Sequence, residues 1–193
     1  MNHTRQTSLL AAGRRGVAAI EFALTAPFIL LVMLVGTDLA LFVRTVMRMD
    51  QAATELALTV TQYPNLYDSD FTNLFNAAQI LAGTTPVTGT FGATIISGIV
   101  NSGGKQTVAW QKRTGATTFK SLIGLAGAVP VLPDNYVVPA GGTLAAVEVF
   151  TPASTWVLSA KIMGGSGSTS VRSYALDQPR LGNLAQITPG NRP

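Results

Sequence analysis

The longest hydrophobic run in the chain lies near its N-terminus, between Val17 and Val43. Its 27 residues contain only two ionisable side chains, Glu21 and Asp38. An α-helix rises about 1.5 Å per residue, so the run predicts a helix of roughly 40 Å, longer than a hydrocarbon core of about 30 Å. The pattern therefore predicts a membrane-spanning helix over residues 17–43.

Apolar positions continue at helical spacing beyond this run, three or four residues apart, with polar positions between them. The apolar stripe comprises Phe42, Val46, Met49, Ala53, Leu56 and Val60, and the polar side comprises Arg44, Arg48, Gln51, Glu55 and Gln62. One helix is therefore expected from about residue 17 to 61, ending before Tyr63-Pro64 because a proline disfavours helical backbone in the residue before it. The outer stripe is expected to pack against the body of the protein itself.

A second, shorter helix is predicted at about residues 69–82. Asp68-Ser69-Asp70 is typical of an N-cap, Phe71, Leu74 and Phe75 begin a helical stripe, and Gly83 closes the element. A calcium loop at the paired acids is the less favoured interpretation, since no further oxygen ligands follow at regular spacing.

Beyond residue 84 the composition shifts to Gly, Thr, Val, Ser and Ile, which favours strands. Strands are expected at 90–101, 106–112, 143–150 and 169–175, with a turn at 101–105, a short helix at 119–125, and a strand or short helix at 153–163. Alternation around Val108 and Trp110 predicts that one face of the second strand is solvent-exposed. Glu148 is likewise predicted to lie on a solvent-exposed face. The tail beyond Asp177 is expected to be loose.

These elements predict an α+β fold in which an N-terminal helix precedes an antiparallel β-rich head. The expected divisions are a leader (1–16), a transmembrane helix (17–43), a helical stem with the second helix (44–83), the head (84–178) and a tail (179–193). We expect the leader to be cytoplasmic and the head extracytoplasmic, because positive charge before an apolar span stays inside.

Charge and composition narrow the classes of function. Three of the 13 Lys and Arg residues, Arg5, Arg14 and Arg15, precede Val17, whereas none of the 9 acids does. The body is thus nearly neutral, which argues against a nucleic-acid surface. The chain has no cysteine and its one histidine is His3, so disulfides, thiol chemistry and histidine catalysis in the body are excluded. No cofactor, metal site or small-molecule substrate is expected.

Glu21 is the unusual residue of the apolar run. A carboxylate in mid-membrane costs about 2.5–3.5 kcal/mol on insertion scales, and less near the end of a span. Such a group calls for a positive partner, and cleavage just before Val17 would create one as a free amine. A cleavable secretory signal peptide and an unprocessed signal anchor are alternatives, but neither explains the acid. Asp38 is placed nearer the outer end, within reach of interfacial water.

The segment from Arg14 to Phe22, RRGVAAIEF, followed by the apolar helix, resembles the class III export signal of type IV pilin-like proteins. Within that group, residues 14–57 are similar to the TadE-like family, minor pseudopilins of tight-adherence (Tad, Flp-type) pilus systems. Residues 170–181 resemble the end of such proteins. The absence of cysteine departs from pilin heads that carry disulfides.

The resemblance implies that a prepilin peptidase cuts between Gly16 and Val17, leaving Glu21 as the fifth mature residue beside Phe22. Arg14 and Arg15 would set the topology, and the Glu21 carboxylate would pair with the N-terminal amine of a neighbouring subunit. The implied protein is a non-enzymatic component of pilus assembly in the bacterial inner membrane. Its partners would be the peptidase, other pilins and the Tad secretion machinery, and its role would be priming, capping or modulation of an adherence pilus.

The alternative is a signal-anchored binding or enzymatic domain unrelated to pili. Its serines have no histidine in the body to activate them, and only Lys105, Lys112, Lys120 and Lys161 could serve a Ser-Lys scheme. The glycine-rich stretch at 164–168 lacks the ending of a phosphate-binding loop.

Overall fold

The computed structural model describes residues 3–152, 170–180 and 182–192, with side chains from Val17 onward. Its elements are α1 (His3–Gln62), α2 (Asp70–Ala82), β1 (Ala93–Ser102), β2 (Lys105–Gly115), β3 (Thr143–Pro152) and β4 (Ser170–Asp177), with a single 3-10 turn at Pro133–Asn135. The strands form one antiparallel sheet in the order β2-β1-β3-β4. The predicted α+β class is confirmed. The chain divides into two compact units, and among the described residues the boundary between them falls between Phe42 and Val43.

The first unit consists, in its described part, of α1 up to Phe42. Large apolar side chains are exposed along it, including Phe22 at 69% and Phe28 at 72%. The most apolar window of α1 has a mean hydropathy of 2.3 and none of it is buried, so α1 is long and apolar enough to cross a membrane. Pro27 lies inside this helix.

In the second unit, α1 and α2 cover one face of the sheet. Met49, Leu56 and Val60 of α1 are buried with Leu74 of α2 and Val147 of β3 in one hydrophobic cluster. The outer stripe of α1 therefore packs against the protein's own body from Met49 onward, as its spacing predicts. Burial of this stripe is what holds the second half of the helix in place.

Loops cover the opposite face of the sheet. Ile99, Val108 and Leu144 from three strands are buried with Ile123 and Val138, which belong to the connection between β2 and β3. The predicted helix at 119–125 is wrong, because this stretch is irregular, with bends at Leu122 and Ile123 and no helical hydrogen bonding. The sheet is thus covered on both faces, and its central strands β1 and β3 are almost wholly buried.

In β2, Val108 and Trp110 are buried and Ala109 between them is exposed, as the alternation predicts, but a β-bulge places the two buried side chains in different cores. Gly98 pairs with Trp110 and the next residue, Ile99, pairs with Val108, so Ala109 is the extra residue. Trp110 consequently belongs to the core on the helix side of the sheet, and Val108 to the core under the loops. The alternation read from the sequence assumed an unbroken strand, and the bulge reverses the two faces of β2 at Ala109.

The described part of the tail after β4 is attached to the head, which corrects the expectation that it is loose. Leu184 is 1% exposed, and its carbonyl accepts a hydrogen bond from the Trp110 indole at 2.6 Å. Farther on, Thr188 forms a parallel bridge with Tyr67, in which its N–H donates to Leu66 O at 2.8 Å. Apolar burial and backbone pairing together fasten the tail to the head.

Most of the remaining local predictions are confirmed with shifted bounds or fall outside the described residues. The hairpin turn lies at Gly103 and Gly104, both with positive φ, and Gly83 closes α2 with its N–H on Ile80 O. Ser69 makes no side-chain cap, so that part of the N-cap prediction is wrong. The predicted element at 153–163 and the glycine-rich stretch at 164–168 lie outside the described residues.

Candidate functional site

The predicted processing site lies inside α1. Gly16 and Val17 both have helical backbone, and the helix continues on either side of them. The side chains of Arg14 and Arg15 belong to the part of the chain whose side chains are not described. Val17 is 57% exposed. The site is therefore a continuous helical segment whose surface after Gly16 is apolar.

Glu21 lies one helical turn after Val17. Residues four apart lie on the same face of a helix, so the carboxylate and the Val17 backbone share a side. Glu21 is exposed, and none of the three salt bridges among residues with described side chains involves it. The Thr25 hydroxyl donates to the Glu21 backbone carbonyl at 2.9 Å and not to the carboxylate.

The surroundings of Glu21 are apolar in sequence and open in the single chain. Ile20 is 64% exposed, Phe22 69% and Leu24 65%. Such a surface is stable in hydrocarbon or against other apolar helices, and not in water. An ionised acid in that environment must gain a cation or hydrogen-bond donors, since desolvation penalises an isolated charge heavily.

Asp38, the second acid of the run, differs from Glu21. It is half-buried, and its Oδ2 atom is buried without a hydrogen-bond partner in the described part of the chain. The neighbouring Thr37 hydroxyl donates to Met33 O at 2.8 Å and so does not serve Asp38. That Asp38 reaches interfacial water stays a prediction.

Glu148 is fully buried, which corrects its placement on a solvated face. Arg172 of β4 contacts Glu148 Oε1 through Nε at 2.9 Å and through Nη2 at 2.7 Å. The Leu122 N–H donates to Oε1 at 3.0 Å, and the Ser121 hydroxyl donates to Oε2. The sequence offered one signal for this site: Glu148 is the one polar residue between Leu144 and Phe150. The group is a saturated ion pair that joins loop, β3 and β4.

The paired acids at the start of α2, Asp68 and Asp70, are both neutralised by cations. Asp68 pairs with Lys112 at 2.8 Å, and Asp70 holds Arg192 through both carboxylate oxygens, at 3.0 and 2.8 Å. The hydrogen bonds from Arg192 lower the pKa of Asp70, against the opposing effect of its burial, and the Tyr67 N–H adds to the lowering. Among the described residues no group of three or more His, Cys, Asp or Glu could hold a metal ion.

The described residues comprise an exposed apolar helix, whose Glu21 has no salt bridge among the described side chains, and a compact α+β head. They define a class: a protein with an N-terminal helix able to span a membrane. Comparison with known families is more specific. The model of the family described as TadE-like protein matches residues 16–58, from the predicted cleavage glycine to the stem of α1. The resemblance read from the N-terminal sequence is thereby confirmed, and it connects the chain to Tad pilus systems. Neither a curated protein nor a solved structure matches the chain.

Proposed function

We propose that this protein is a minor pseudopilin that takes part in the assembly of a Tad pilus, by priming, capping or modulating the fibre, without enzymatic activity. A prepilin peptidase cuts between Gly16 and Val17. The mature chain keeps its membrane helix and presents a new N-terminal amine. Its partners are other pilins and the Tad secretion machinery.

The observation that carries the proposal is the position of Glu21. It is the one acid in the first turns of an exposed apolar helix, it has no salt bridge among residues with described side chains, and it falls within the TadE-like match. In a medium of low dielectric constant, an amine–carboxylate pair is far stronger than at a protein surface. Pairing with the amine of a neighbouring subunit would set the register of two helices.

The proposed location is the bacterial inner membrane, with a single pass. The leader carries Arg5, Arg14 and Arg15 and no acid, which favours a cytoplasmic N-terminus. The head is then extracytoplasmic, in the periplasm of a Gram-negative cell. The cysteine-free head is compatible with that compartment, because burial and ion pairs stabilise it without disulfides.

The cleavage step is tested by replacing Gly16 with leucine in the native host. We expect the full-length precursor to accumulate in the membrane, because a bulky side chain obstructs approach of the peptidase to the scissile bond. Gly36→Leu is the matched control, since a Cβ at Gly36 meets nothing within 4 Å and the glycine lies in the same helix. Normal processing of Gly16→Leu would contradict the proposed site.

The assembly step is tested with Glu21→Gln, which keeps the shape of the side chain and removes the charge. Cleavage should continue, whereas surface fibres and adherence should fall. Asp134→Asn is the control, because Asp134 is exposed and lies far from the apolar run in the sequence, and asparagine tolerates its positive φ. Fibres equal to wild type in Glu21→Gln would remove the proposed role of the carboxylate.

A further inference from the structure

A small hairpin projects from the loop-covered face of the head. It comprises residues 121–131, which we call the outer hairpin. Its two arms are joined by the hydrogen bond from the Val131 N–H to Ile123 O at 2.7 Å, and its turn is closed by the Ala128 N–H on Leu125 O at 3.0 Å. Ile123 is buried and forms the base on which the hairpin rests.

The outer hairpin is held to the sheet at several points. At its start, Ser121 and Leu122 bind Glu148. At its turn, the Val108 N–H donates to Ala128 O at 2.9 Å and the Gly127 N–H donates to Val108 O at 2.8 Å. These contacts cover part of the free edge of β2. The conformation of the hairpin is thus set before any partner binds, which lowers the entropic cost of binding.

The outward side of the hairpin is apolar. Leu122 is 62% exposed, Leu125 65%, Val129 65% and Val131 71%. We call these four side chains the patch; together they expose on the order of 400 Å² of apolar surface, the size at which exposed patches on monomers are often functional. A stable interface between freely diffusing proteins buries roughly 800 Å² on each partner. The patch therefore suits a partner that is already held nearby, for which a small contact is sufficient.

The hairpin runs away from the end of the head at which α1 enters. Along α1, Asp50 bonds Ser173 and the later residue Thr61 bonds Asp177 at 2.5 Å, so α1 and β4 run in the same direction. Ser121 lies at the level of Glu148, whereas the turn lies beside Val108, which is farther along in that direction. The patch therefore lies on the opposite side of the sheet from α2 and the part of α1 that belongs to the head.

Charges near the patch indicate what that neighbour presents. The hairpin itself is uncharged, exposed Lys120 comes directly before it, and exposed Asp134 follows three residues after its end. On the opposite side of the head, α1 exposes Glu55, and Leu58 one turn later is 41% exposed. An acid and an aliphatic residue three apart lie on one helix face and complement a lysine beside aliphatic residues.

We propose that the outer hairpin of one chain docks on the Glu55–Leu58 face of α1 in a second copy anchored in the same membrane. Lys120 of one copy pairs with Glu55 of the next, and Val129 and Leu125 cover Leu58. Because the two surfaces lie on opposite sides of one head, the contact is heterologous and repeats from copy to copy instead of closing into a twofold dimer. This inference rests on the proposed membrane anchoring and not on pilus assembly.

The test uses the absence of native cysteine, so that each introduced cysteine is unique. Full-length Val129→Cys and Leu58→Cys chains, distinguished by tag length, are mixed in phospholipid vesicles and treated with a short bismaleimide. We expect a mixed-tag dimer. As a control, Ser102→Cys at the exposed β1–β2 turn replaces Val129→Cys, and it should give little mixed-tag dimer. Lys120→Glu should reduce the yield, and Glu55→Lys on the second chain should restore it.

Each other outcome overturns the proposal. Absence of the mixed dimer, or dimers only between two Val129→Cys chains, would contradict the heterologous contact. Quenching by brominated lipid of a fluorophore attached to the introduced thiol of the Val129→Cys chain would show that the patch meets the bilayer instead. Flotation of the vesicles tests membrane anchoring separately from docking. A chain that fails to float contradicts membrane anchoring, whereas one that floats without cross-linking contradicts only the docking.

Discussion

Replacing Arg172 with methionine tests whether the buried Glu148 carboxylate holds the loop layer to the sheet. Methionine keeps much of the side-chain volume and removes the guanidinium. Glu148 is then left fully buried, and its remaining donors among the described residues are the Ser121 hydroxyl and the Leu122 N–H. The variant therefore isolates the loss of the positive charge from loss of packing.

Breaking a buried ion pair by removing one partner costs about 3–5 kcal/mol. The Arg172 side chain is 22% exposed and two donors remain, so we expect the lower end, about 3 kcal/mol. For a head of this size each kcal/mol lowers the melting temperature by about 2–4 °C, which gives a decrease of roughly 6–12 °C. The double variant Glu148→Met/Arg172→Met should recover much of this loss, because a well-packed apolar pair no longer carries an unpaired charge.

The assay is thermal unfolding followed by the fluorescence of Trp110, which is buried in the head. All variants carry Trp156→Phe, so that Trp110 is the one tryptophan left. The two single variants and the double variant form a thermodynamic cycle that measures the coupling directly. A melting temperature of Arg172→Met equal to wild type would refute the reasoning. So would a double variant less stable than either single variant.

Three further outcomes are expected of the head. Leu184→Ala should destabilise it by about 2–5 kcal/mol in urea unfolding, because Leu184 is buried beside Trp110; wild-type stability would mean that the tail is dispensable. Asp70 has a folded pKa below its ordinary 3.8, so its contribution is present above that pH and lost as the pH falls through the folded pKa. In the Asp70→Asn variant, the free energy of unfolding should therefore fall less steeply as the pH is lowered. An unchanged dependence on acid pH would show that the Asp70–Arg192 pair does not cause it. Gly98→Ala should cost about 1–3 kcal/mol by overpacking, since its Cβ would lie 2.3 Å from the Trp110 ring; an unchanged midpoint would show that the ring can move.

Local sequence patterns determined the helices. The apolar run and the stripe through Met49 and Leu56 predicted α1, and Pro64 and Gly83 marked the ends of α1 and α2. Each of these signals depends on a few neighbouring residues, so it can be read without knowing the fold. The acid at Glu21 was likewise conspicuous because everything beside it is apolar.

Long-range contacts were beyond those patterns. The bulge at Ala109 depends on how β2 pairs with β1, and it changes which core receives Trp110. The tail was expected to be loose because its residues are polar, yet Arg192 binds Asp70, 122 residues earlier in the chain. Glu148 was predicted to be solvent-exposed, because its partner Arg172 belongs to another strand and is not near it in the sequence. In each case the stabilising partner is distant in sequence.

The N-terminal residue of the native protein, purified from the membrane of its host, tests the central claim most directly. Edman degradation or mass spectrometry of the terminal peptide should begin at Val17, with the membrane helix retained in the same chain. A terminus at Met1 would indicate an unprocessed anchor, and a start near residue 40 would indicate a removed signal peptide. Either result would contradict the account, because no amine would then exist at the position that Glu21 requires.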